Sequence, residues 1–235
     1  MDKYKKLAVN TVIFAIGTFS SKILSFLLMP FITKVMGTGE YGAADLVQQT
    51  ANVLIPVVTL AVNSAALRFA LDKAADKRDV FTTGIRTTFV GFAIFLVFIP
   101  VFPLIKVNDF VLGDYTLLIY LFVLVSSMRQ LCQQFVRGCG HVRLFAIDGI
   151  LATATNLGFT LLYLGVFHWG VTGYVMSIIT SDALSVLFLF WRGRLAGQIK
   201  WKGNNPIVRK NMLKYCIPLI PTIILWWIIN VSNRY

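Results

Sequence analysis

Ionisable side chains lie inside long apolar stretches of this sequence, where a charge is energetically costly and therefore points to function. Lys22 falls near the middle of the stretch Leu7–Thr33, where insertion scales put the cost of a lysine at ~2.5–3.5 kcal/mol. Its ammonium group should face water or a buried acid rather than lipid. In the first case Lys22 is a fixed cation for an anionic ligand; in the second it neutralises a carboxylate such as Asp148 or Asp182.

Three arginines occupy comparable positions in other apolar stretches. Arg68 and Arg86 lie close to predicted cytoplasmic ends, where a long side chain can reach the headgroup region, so a functional and a purely interfacial role are both open. Arg129 lies deeper than either. Asp148 and Asp182 are the acidic residues of the next two stretches, and they can pair with these cations or carry protons.

Uncharged polar residues form stripes along three of the stretches. They recur at three- and four-residue steps, which places each set on one face of a helix. Such side chains either hold neighbouring helices together, at about 0.6 kcal/mol per contact, or line a water-filled cavity. Several aligned stripes favour the cavity. The sets are Thr18, Ser21, Lys22 and Ser25; Asp45, Gln48, Gln49, Asn52, Thr59 and Asn63; and Ser126, Gln130, Gln133, Gln134 and Arg137.

No set of residues in the sequence is typical of an enzyme or a metalloprotein. Cys132, Cys139 and Cys216 are an odd number of thiols, so a disulfide framework is not expected. His141 and His168 fall on opposite sides of the predicted membrane and cannot share a metal. The sequence has neither a Gly-rich phosphate loop nor a carboxylate cluster with metal-ligand spacing. We therefore expect no catalytic residue, no metal and no cofactor.

Composition and run length specify the elements that carry these residues. The 235 residues are 57% hydrophobic and 14% charged, with a mean hydropathy of +0.74, which is more apolar surface than a soluble domain can bury. Several runs reach the ~20 residues that a helix needs to cross ~30 Å of hydrocarbon. Strands are not expected, because the runs lack the alternation of membrane barrels. The sequence predicts an all-α integral membrane protein. Its predicted spans are Leu7–Thr33, Ala43–Leu67, Thr87–Ile105, Tyr115–Val136, Leu144–Val166, Gly173–Trp191 and Tyr215–Val231.

Lysine and arginine mark alternate loops of this arrangement. Most of the 22 basic residues fall on one side of the predicted membrane: at the N-terminus, around Arg78, at Arg137 and Arg143, and in the segment 192–214. Because cytoplasmic loops carry the excess of Lys and Arg, this side is assigned to the cytoplasm. We expect a multi-pass protein of the cell membrane with a cytoplasmic N-terminus. The net charge of +12 then reflects topology, and no nucleic-acid partner is expected.

Short motifs occur in a fixed order along the whole chain. They are Gly37–Gly42 after the first span, Ala66–Phe69 at the end of the second, and then Phe135–Gly138, His141–Phe145, Trp169–Gly173, Pro218–Pro221 and Ser232–Tyr235. In order and spacing they resemble the motifs of Wzx-type polysaccharide flippases, in the multidrug/oligosaccharidyl-lipid/polysaccharide exporter superfamily. Asn233 stands where that family commonly has Asp.

The resemblance implies a transporter of twelve to fourteen helices, in two six-helix lobes that face a central cavity. Residues 1–200 would form the N-terminal six-helix lobe, and residues 201–235 a cytoplasmic linker with helix seven, the start of a truncated second lobe. The implied activity is that of a flippase and not of an enzyme. It would move an oligosaccharide repeat unit on polyprenyl diphosphate from the cytoplasmic to the outer leaflet by alternating access, for a surface polysaccharide such as O-antigen or capsule.

A cavity for a diphosphate needs fixed cations and hydrogen-bond donors. On the resemblance, substrate binding is assigned to polar and cationic residues of the spans, and coupling to an ion or proton gradient to Asp148 and Asp182. The implied partners are the lipid-linked glycan, membrane lipid, a polysaccharide polymerase and glycosyltransferases. The expected substrate-binding residues are Lys22, Gln48, Asn52, Asn63, Arg68, Arg86 and Arg129.

Other functions remain open on the sequence. A cation-coupled multidrug exporter of the same superfamily would share the fold but would depend on intramembrane acids, which the cations outnumber here. A flippase for the lipid-linked peptidoglycan precursor fits the cations equally well. A membrane glycosyltransferase or polymerase would need a long outer loop or a carboxylate cluster, and a structural subunit would not need Lys22 at mid-depth.

Overall fold

A computed structural model describes the backbone of residues 3–72, 75–98, 106–107, 110–200 and 205–232, and the side chains of residues 26, 28–72, 75–98, 113–200 and 205–229. Most of these residues are helical, which confirms the predicted fold class. A π-helix, Leu161–Val166, continues the fifth helix, and short 3-10 helices occupy Leu112–Tyr115 and Leu195–Gln198. The α-helices are α1 (Lys3–Val58), α2 (Val62–Leu71), α3 (Lys77–Leu96), α4 (Thr116–Gly138), α5 (Val142–Thr160), α6 (Gly170–Arg192), α7 (Pro206–Cys216) and α8 (Leu219–Ser232).

Several helical segments are long and apolar enough to cross a membrane. A further candidate is the bent pair formed by Leu28–Val58 and α2, whose axes differ by 56°. The described part of the chain is therefore a multi-pass helical bundle. The five single segments are Lys77–Leu96, Gly113–Gly138, Val142–Val166, Gly170–Arg192 and Pro206–Ile229.

The helix α1 changes direction at Gly37, where the sequence predicts a turn between two spans. Gly37 has a φ of 71° and a ψ of 171°, a conformation open essentially to glycine. The Tyr41 hydroxyl lies 3.6 Å from the Met29 sulfur, although a straight helix would separate their backbones by roughly 18 Å. The turn at Gly37 thus separates the first span from the second.

The second span is broken at residues 59–61, a break that no pattern in the sequence predicts. The Ala61 N–H donates to the Pro56 carbonyl at 2.8 Å and the Leu60 N–H to the Val57 carbonyl at 3.2 Å, so a Schellman pattern closes α1. Leu60 and Ala61 have φ values of 50° and 54°, a left-handed conformation that costs a residue with a side chain roughly 1–2 kcal/mol. Packing elsewhere in the bundle must offset this strain.

The third span begins ten residues earlier than predicted, at Lys77 rather than Thr87. The Asp76 carboxylate caps the helix by accepting the Arg78 N–H. The first turns of α3 are polar, so hydropathy alone excludes them from the span, but residues 79–84 are buried, and Thr82 accepts a hydrogen bond from the segment that follows α6.

Lys200 fastens that segment to the start of α3. Its ammonium group lies 2.7 Å from Asp76 Oδ2 and 2.9 Å from Asp79 Oδ1, and we call these three residues the linker clasp. The Lys200 N–H donates to the Thr82 hydroxyl at 2.9 Å, and its carbonyl accepts from Arg86 Nη2 at 3.1 Å. The hydrogen bond from Lys200 holds the pKa of the Asp76 carboxyl below its ordinary value. The two carboxyls in turn raise the pKa of the Lys200 ammonium.

Part of the segment predicted as a cytoplasmic linker is helical. Asn205 caps α7 by accepting the Ile207 N–H at 2.9 Å, and Pro206 occupies the first helical position, where its missing N–H is harmless. Basic residues such as Lys210 lower the hydropathy of α7. This is why the predicted span starts only at Tyr215.

A two-residue ladder lies between α3 and α4. The strand β1 (Lys106–Val107) pairs antiparallel with β2 (Phe110–Val111), with Lys106 opposite Val111. The ladder lies outside the segments that can cross a membrane, and the helical architecture is unaffected.

Three clusters of buried apolar side chains hold the bundle together. One packs α2, α3 and α7 against α4, with the rings of Phe81 and Phe135 4.6 Å apart at its centre. A second joins α1, α4 and α6 through Val47, Ile119 and Val175. The third packs the two arms of α1 around Gly37 against the π-helix. The helix α4 contributes to two of the three clusters, so its polar face is fixed in the interior.

Candidate functional site

Three helices bring one positive and two negative side chains together inside the bundle. Arg129 of α4 has Nη1 2.7 Å from Asp182 Oδ1 of α6, and Nε 4.0 Å from Asp148 Oδ2 of α5. The Ser126 hydroxyl donates to the other oxygen of Asp182. The Asp148 side chain is fully buried and that of Asp182 is 8% exposed. These residues, Arg129, Asp148 and Asp182, form a charged triad.

Asp148 is the member of the charged triad with the least access to solvent. The Ser185 hydroxyl donates to its Oδ1, and Gln133 Nε2 donates to its Oδ2 at 2.6 Å. Ser185 also accepts from Arg129 Nε at 3.0 Å, so it bridges the cation and the acid. All four carboxylate oxygens of the triad therefore have partners, which is the condition under which a protein interior tolerates buried charge.

The spacing of residues along the helices explains why these groups meet. Ser126, Arg129 and Gln133 are three and four residues apart, so they share one face of α4. Asp182 and Ser185 are three residues apart and share one face of α6. Ser185 is not among the residues predicted for the site, although its three-residue spacing from Asp182 is a signal that could have identified it.

Two members of the charged triad line a partly open cavity of about 510 Å³. Arg129 and Asp182 line it together with Gln48 of α1, whose Oε1 accepts a hydrogen bond from the Tyr174 hydroxyl at 3.1 Å. Tyr174 is not among the residues predicted for the site, because an aromatic residue in an apolar stretch gives no signal of a polar contact. The other described lining residues are Leu28, Met29, Ile32, Ala152, Thr153, Asn156, Ile178 and Ser181.

Of the residues expected to bind substrate, Gln48 and Arg129 lie at this cavity and the two asparagines lie elsewhere. Asn63 Nδ2 donates to Gln130 Oε1 at 3.2 Å, between α2 and α4. The Oδ1 atom of Asn63 is buried and has no hydrogen-bond partner among the described residues. Asn52 is half-buried on α1 and is not one of the described residues that line the cavity.

Arg68 and Arg86 contact α7 and the segment that precedes it. The Arg68 guanidinium lies 4.3 Å from the centre of the Tyr215 ring, within the range of a cation–π interaction. Arg86 donates to the Lys200 carbonyl and lines a separate groove. The structure therefore does not bring these two arginines to the cavity of the charged triad.

Lys22 lies on the first arm of α1, and its side chain falls outside the part of the chain whose side chains the structure describes. The same holds for Thr18, Ser21 and Ser25, which the sequence places on one face with it. The role of Lys22 as a cation of the site remains a prediction. Among the side chains that are described, no group of three or more His, Cys, Asp or Glu could hold a metal ion.

The fold resembles that of a known transporter. The chain superposes on a multidrug resistance transporter of the MATE family, of the MOP superfamily, in its outward-facing conformation, with a TM-score of 0.69 and 16% sequence identity. The match covers 89% of this chain and 50% of the other, so the chain spans half the length of the transporter it matches. The sequence matches no curated protein. The sequence pattern of the family described as polysaccharide biosynthesis protein matches residues 7–235, and the chain belongs to that family.

Proposed function

We propose that this chain is part of a flippase that moves an oligosaccharide on polyprenyl diphosphate from the cytoplasmic to the outer leaflet by alternating access. The N-terminus and the basic loops then face the cytoplasm. The description of the family, polysaccharide biosynthesis, supports this class of substrate. The likeness to half of a transporter supports this class of activity. A polysaccharide polymerase and glycosyltransferases are the proposed partners.

The observation that carries the proposal is the cavity lined by Arg129 and Asp182 of the charged triad. A cavity of about 510 Å³ in a membrane-spanning bundle has the size of a small-molecule site. The amides of Gln48 and Asn156 and the hydroxyls of Thr153 and Tyr174 can exchange hydrogen bonds with sugar hydroxyls. We assign these four residues to recognition of the glycan.

For Arg129 we propose pairing with the two acids, the alternative to substrate binding that the sequence leaves open. Its guanidinium is shared between Asp148 and Asp182, so it is poorly suited to bind a diphosphate directly. We assign it to organising α4, α5 and α6. Asp182 lines the cavity, and gain or loss of a proton or cation there would change the balance of charge in the triad. Lys22 is the residue proposed to contact the diphosphate.

A second candidate function is cation-coupled export of drugs. The acid at the cavity wall, Asp182, and the likeness to a multidrug resistance transporter favour it. A flippase for the lipid-linked peptidoglycan precursor would use the same cavity and differ in the glycan.

Complementation in a cell that lacks its own polysaccharide flippase separates these functions. The complete protein should restore surface polysaccharide, and Gln48→Leu combined with Tyr174→Phe should reduce it at unchanged membrane abundance. The control is Gln49→Leu, because Gln49 Nε2 donates to Asp45 Oδ1 at 3.2 Å and does not line the cavity. Resistance to cationic drugs without restored polysaccharide would contradict the proposal and favour the exporter.

A further inference from the structure

We propose that the groove between α1, α3 and α7 binds one anionic phospholipid of the cytoplasmic leaflet, with the phosphate at Arg86 and Arg209. The groove has a volume of about 550 Å³ and is lined by apolar side chains except for these two arginines and the hydroxyls of Thr83 and Thr87. The proposal rests on the orientation proposed for the chain and does not depend on which substrate is transported.

The apolar wall of the groove follows one face of α3 and the turn after it. Val90, Ile94 and Phe98 recur at four-residue steps and are 60%, 59% and 53% exposed. From Arg86 to Leu96 the helix rises roughly 15 Å, which is about half of the ~30 Å hydrocarbon core and so the depth of one leaflet. The groove therefore matches the length of one acyl chain of a phospholipid.

The two arginines give this groove a charged end. Side chains on a helix point toward its N-terminus, and Arg86 Nη2 reaches the Lys200 carbonyl at 3.1 Å, close to the first turn of α3. Arg209 is exposed in the first turn of α7 and lines the same groove. Both cations thus lie at the end of the groove that the proposed topology places at the cytoplasmic headgroups.

Charge complementarity decides which lipid occupies the groove. Basic pockets between membrane-spanning helices on the cytoplasmic side bind anionic headgroups, whereas a zwitterionic lipid offers no net charge to a pair of arginines. The single-leaflet length favours a bulk phospholipid over the lipid-linked substrate. We therefore commit to an anionic phospholipid, with phosphatidylglycerol as the probe.

The lipid retained on the purified protein tests the charged end. The complete protein is extracted in mild detergent from membranes that contain phosphatidylglycerol and phosphatidylethanolamine, and bound lipid is counted by native mass spectrometry. We expect phosphatidylglycerol to be enriched. Arg209→Gln should lower its retention about fivefold, the factor that corresponds to ~1 kcal/mol for one basic residue near an anionic surface. Arg86→Gln with Arg209→Gln should lower it further, and Arg192→Gln with Arg194→Gln is the charge-matched control at two exposed positions outside the groove.

A bulky substitution tests the apolar part independently of charge. Ile94→Trp should fill the groove and displace the acyl chain, whereas Leu187→Trp places the same ring at an exposed site on α6 and should leave retention unchanged. Equal retention by the wild-type protein and Arg209→Gln would overturn the proposal. So would recovery of a polyprenyl phosphate in place of phosphatidylglycerol, which would make the groove part of the substrate path.

Discussion

Arg129 and Asp182 form a 2.7 Å ion pair between α4 and α6, inside a bundle that crosses the membrane. The pair is joined to a third helix through Asp148 and Ser185. Because the energy of separating such charges is high in a poorly solvated interior, the triad links the positions of three helices. A change of charge at any member should therefore change the electrostatic energy of the other two.

Arg129→Ala should destabilise the complete protein by about 3–5 kcal/mol, since it leaves two buried carboxylates without their cation. Thermal unfolding of the purified protein and its abundance in membranes measure this effect. Adding Asp182→Asn should recover part of the loss, because Asp148 keeps its hydrogen bonds from Ser185 and Gln133. Wild-type stability of Arg129→Ala would show that the ion pair has no structural role.

Gly91→Ala should destabilise the bundle by about 3 kcal/mol, the upper end of the range for overpacking. A Cβ atom at Gly91 would lie 1.8 Å from the Val58 carbonyl oxygen, so α1 and α3 would have to separate. Gly149→Ala is the control, because a Cβ there meets nothing within 4 Å. It should stabilise α5 by roughly 0.5–1 kcal/mol. Similar unfolding temperatures for the two variants would contradict the close approach at Gly91.

Lys22→Ala should abolish polysaccharide export by the complete protein and leave its membrane abundance largely intact, because removal of a mid-span charge relieves an insertion penalty. Lys22→Arg should keep partial transport, since a cation survives although its geometry changes. The alternative is that Lys22 neutralises Asp148 or Asp182, in which case Lys22→Ala should lower abundance. Both acids already have partners in the charged triad, which favours the first outcome. Surface glycan and protein level, measured together, distinguish the two, and normal export by Lys22→Ala would refute substrate binding.

The linker clasp should be insensitive to pH across the neutral range. Because the pKa of Asp76 is lowered, its contribution to stability is present above about pH 3.9 and is lost as the pH falls below that value. Because the pKa of Lys200 is raised, its contribution is present below about pH 10.4 and is lost as the pH rises further. Lys200→Gln should speed hydrogen exchange in residues 195–200, with the exposed Lys210→Gln as control. A step in exchange near neutral pH would contradict this assignment.

Cysteine labelling should place Trp169 and Arg78 on opposite sides of the membrane. A membrane-impermeant reagent added from outside should modify Trp169→Cys and miss Arg78→Cys. Background should be low, because Cys132 and Cys216 are buried and burial raises the pKa of the Cys139 thiol. Cys139→Ser removes that background entirely. Equal labelling at the two positions would overturn the assigned orientation.

Hydropathy and helical periodicity suffice to predict the helical bundle, the turn at Gly37 and the acids of the charged triad. They fail where long-range packing decides the outcome. At residues 59–61 Thr59 continues the polar stripe of the span and Leu60 and Ala61 are apolar, so the break there cannot be read from periodicity. The early start of α3 depends on Asp76 and on the segment around Lys200, which lies far away in the sequence.

The residues of the candidate site also divide into those that a sequence pattern predicts and those that only long-range packing determines. Charge and depth identify Arg129, Asp148 and Asp182, because ionisable residues are rare in apolar spans. The contacts of Arg68 and Arg86 are with residues of α7 and of the segment before it, so no local pattern predicts them. The depth of a cation within a span does not reveal which face of the bundle its side chain contacts. Both arginines were therefore expected at the cavity.

The break in the second span leaves a helix C-terminus at Val58 and a helix N-terminus at Val62 within one predicted crossing. Each helix end carries the equivalent of about half an elementary charge, negative at the C-terminus and positive at the N-terminus. These opposite poles belong to the backbone, so no proton can remove them and no change of pH can reverse them. In addition to the ionisable side chains of the charged triad, the bundle thus contains a local backbone dipole at this break that every protonation state retains.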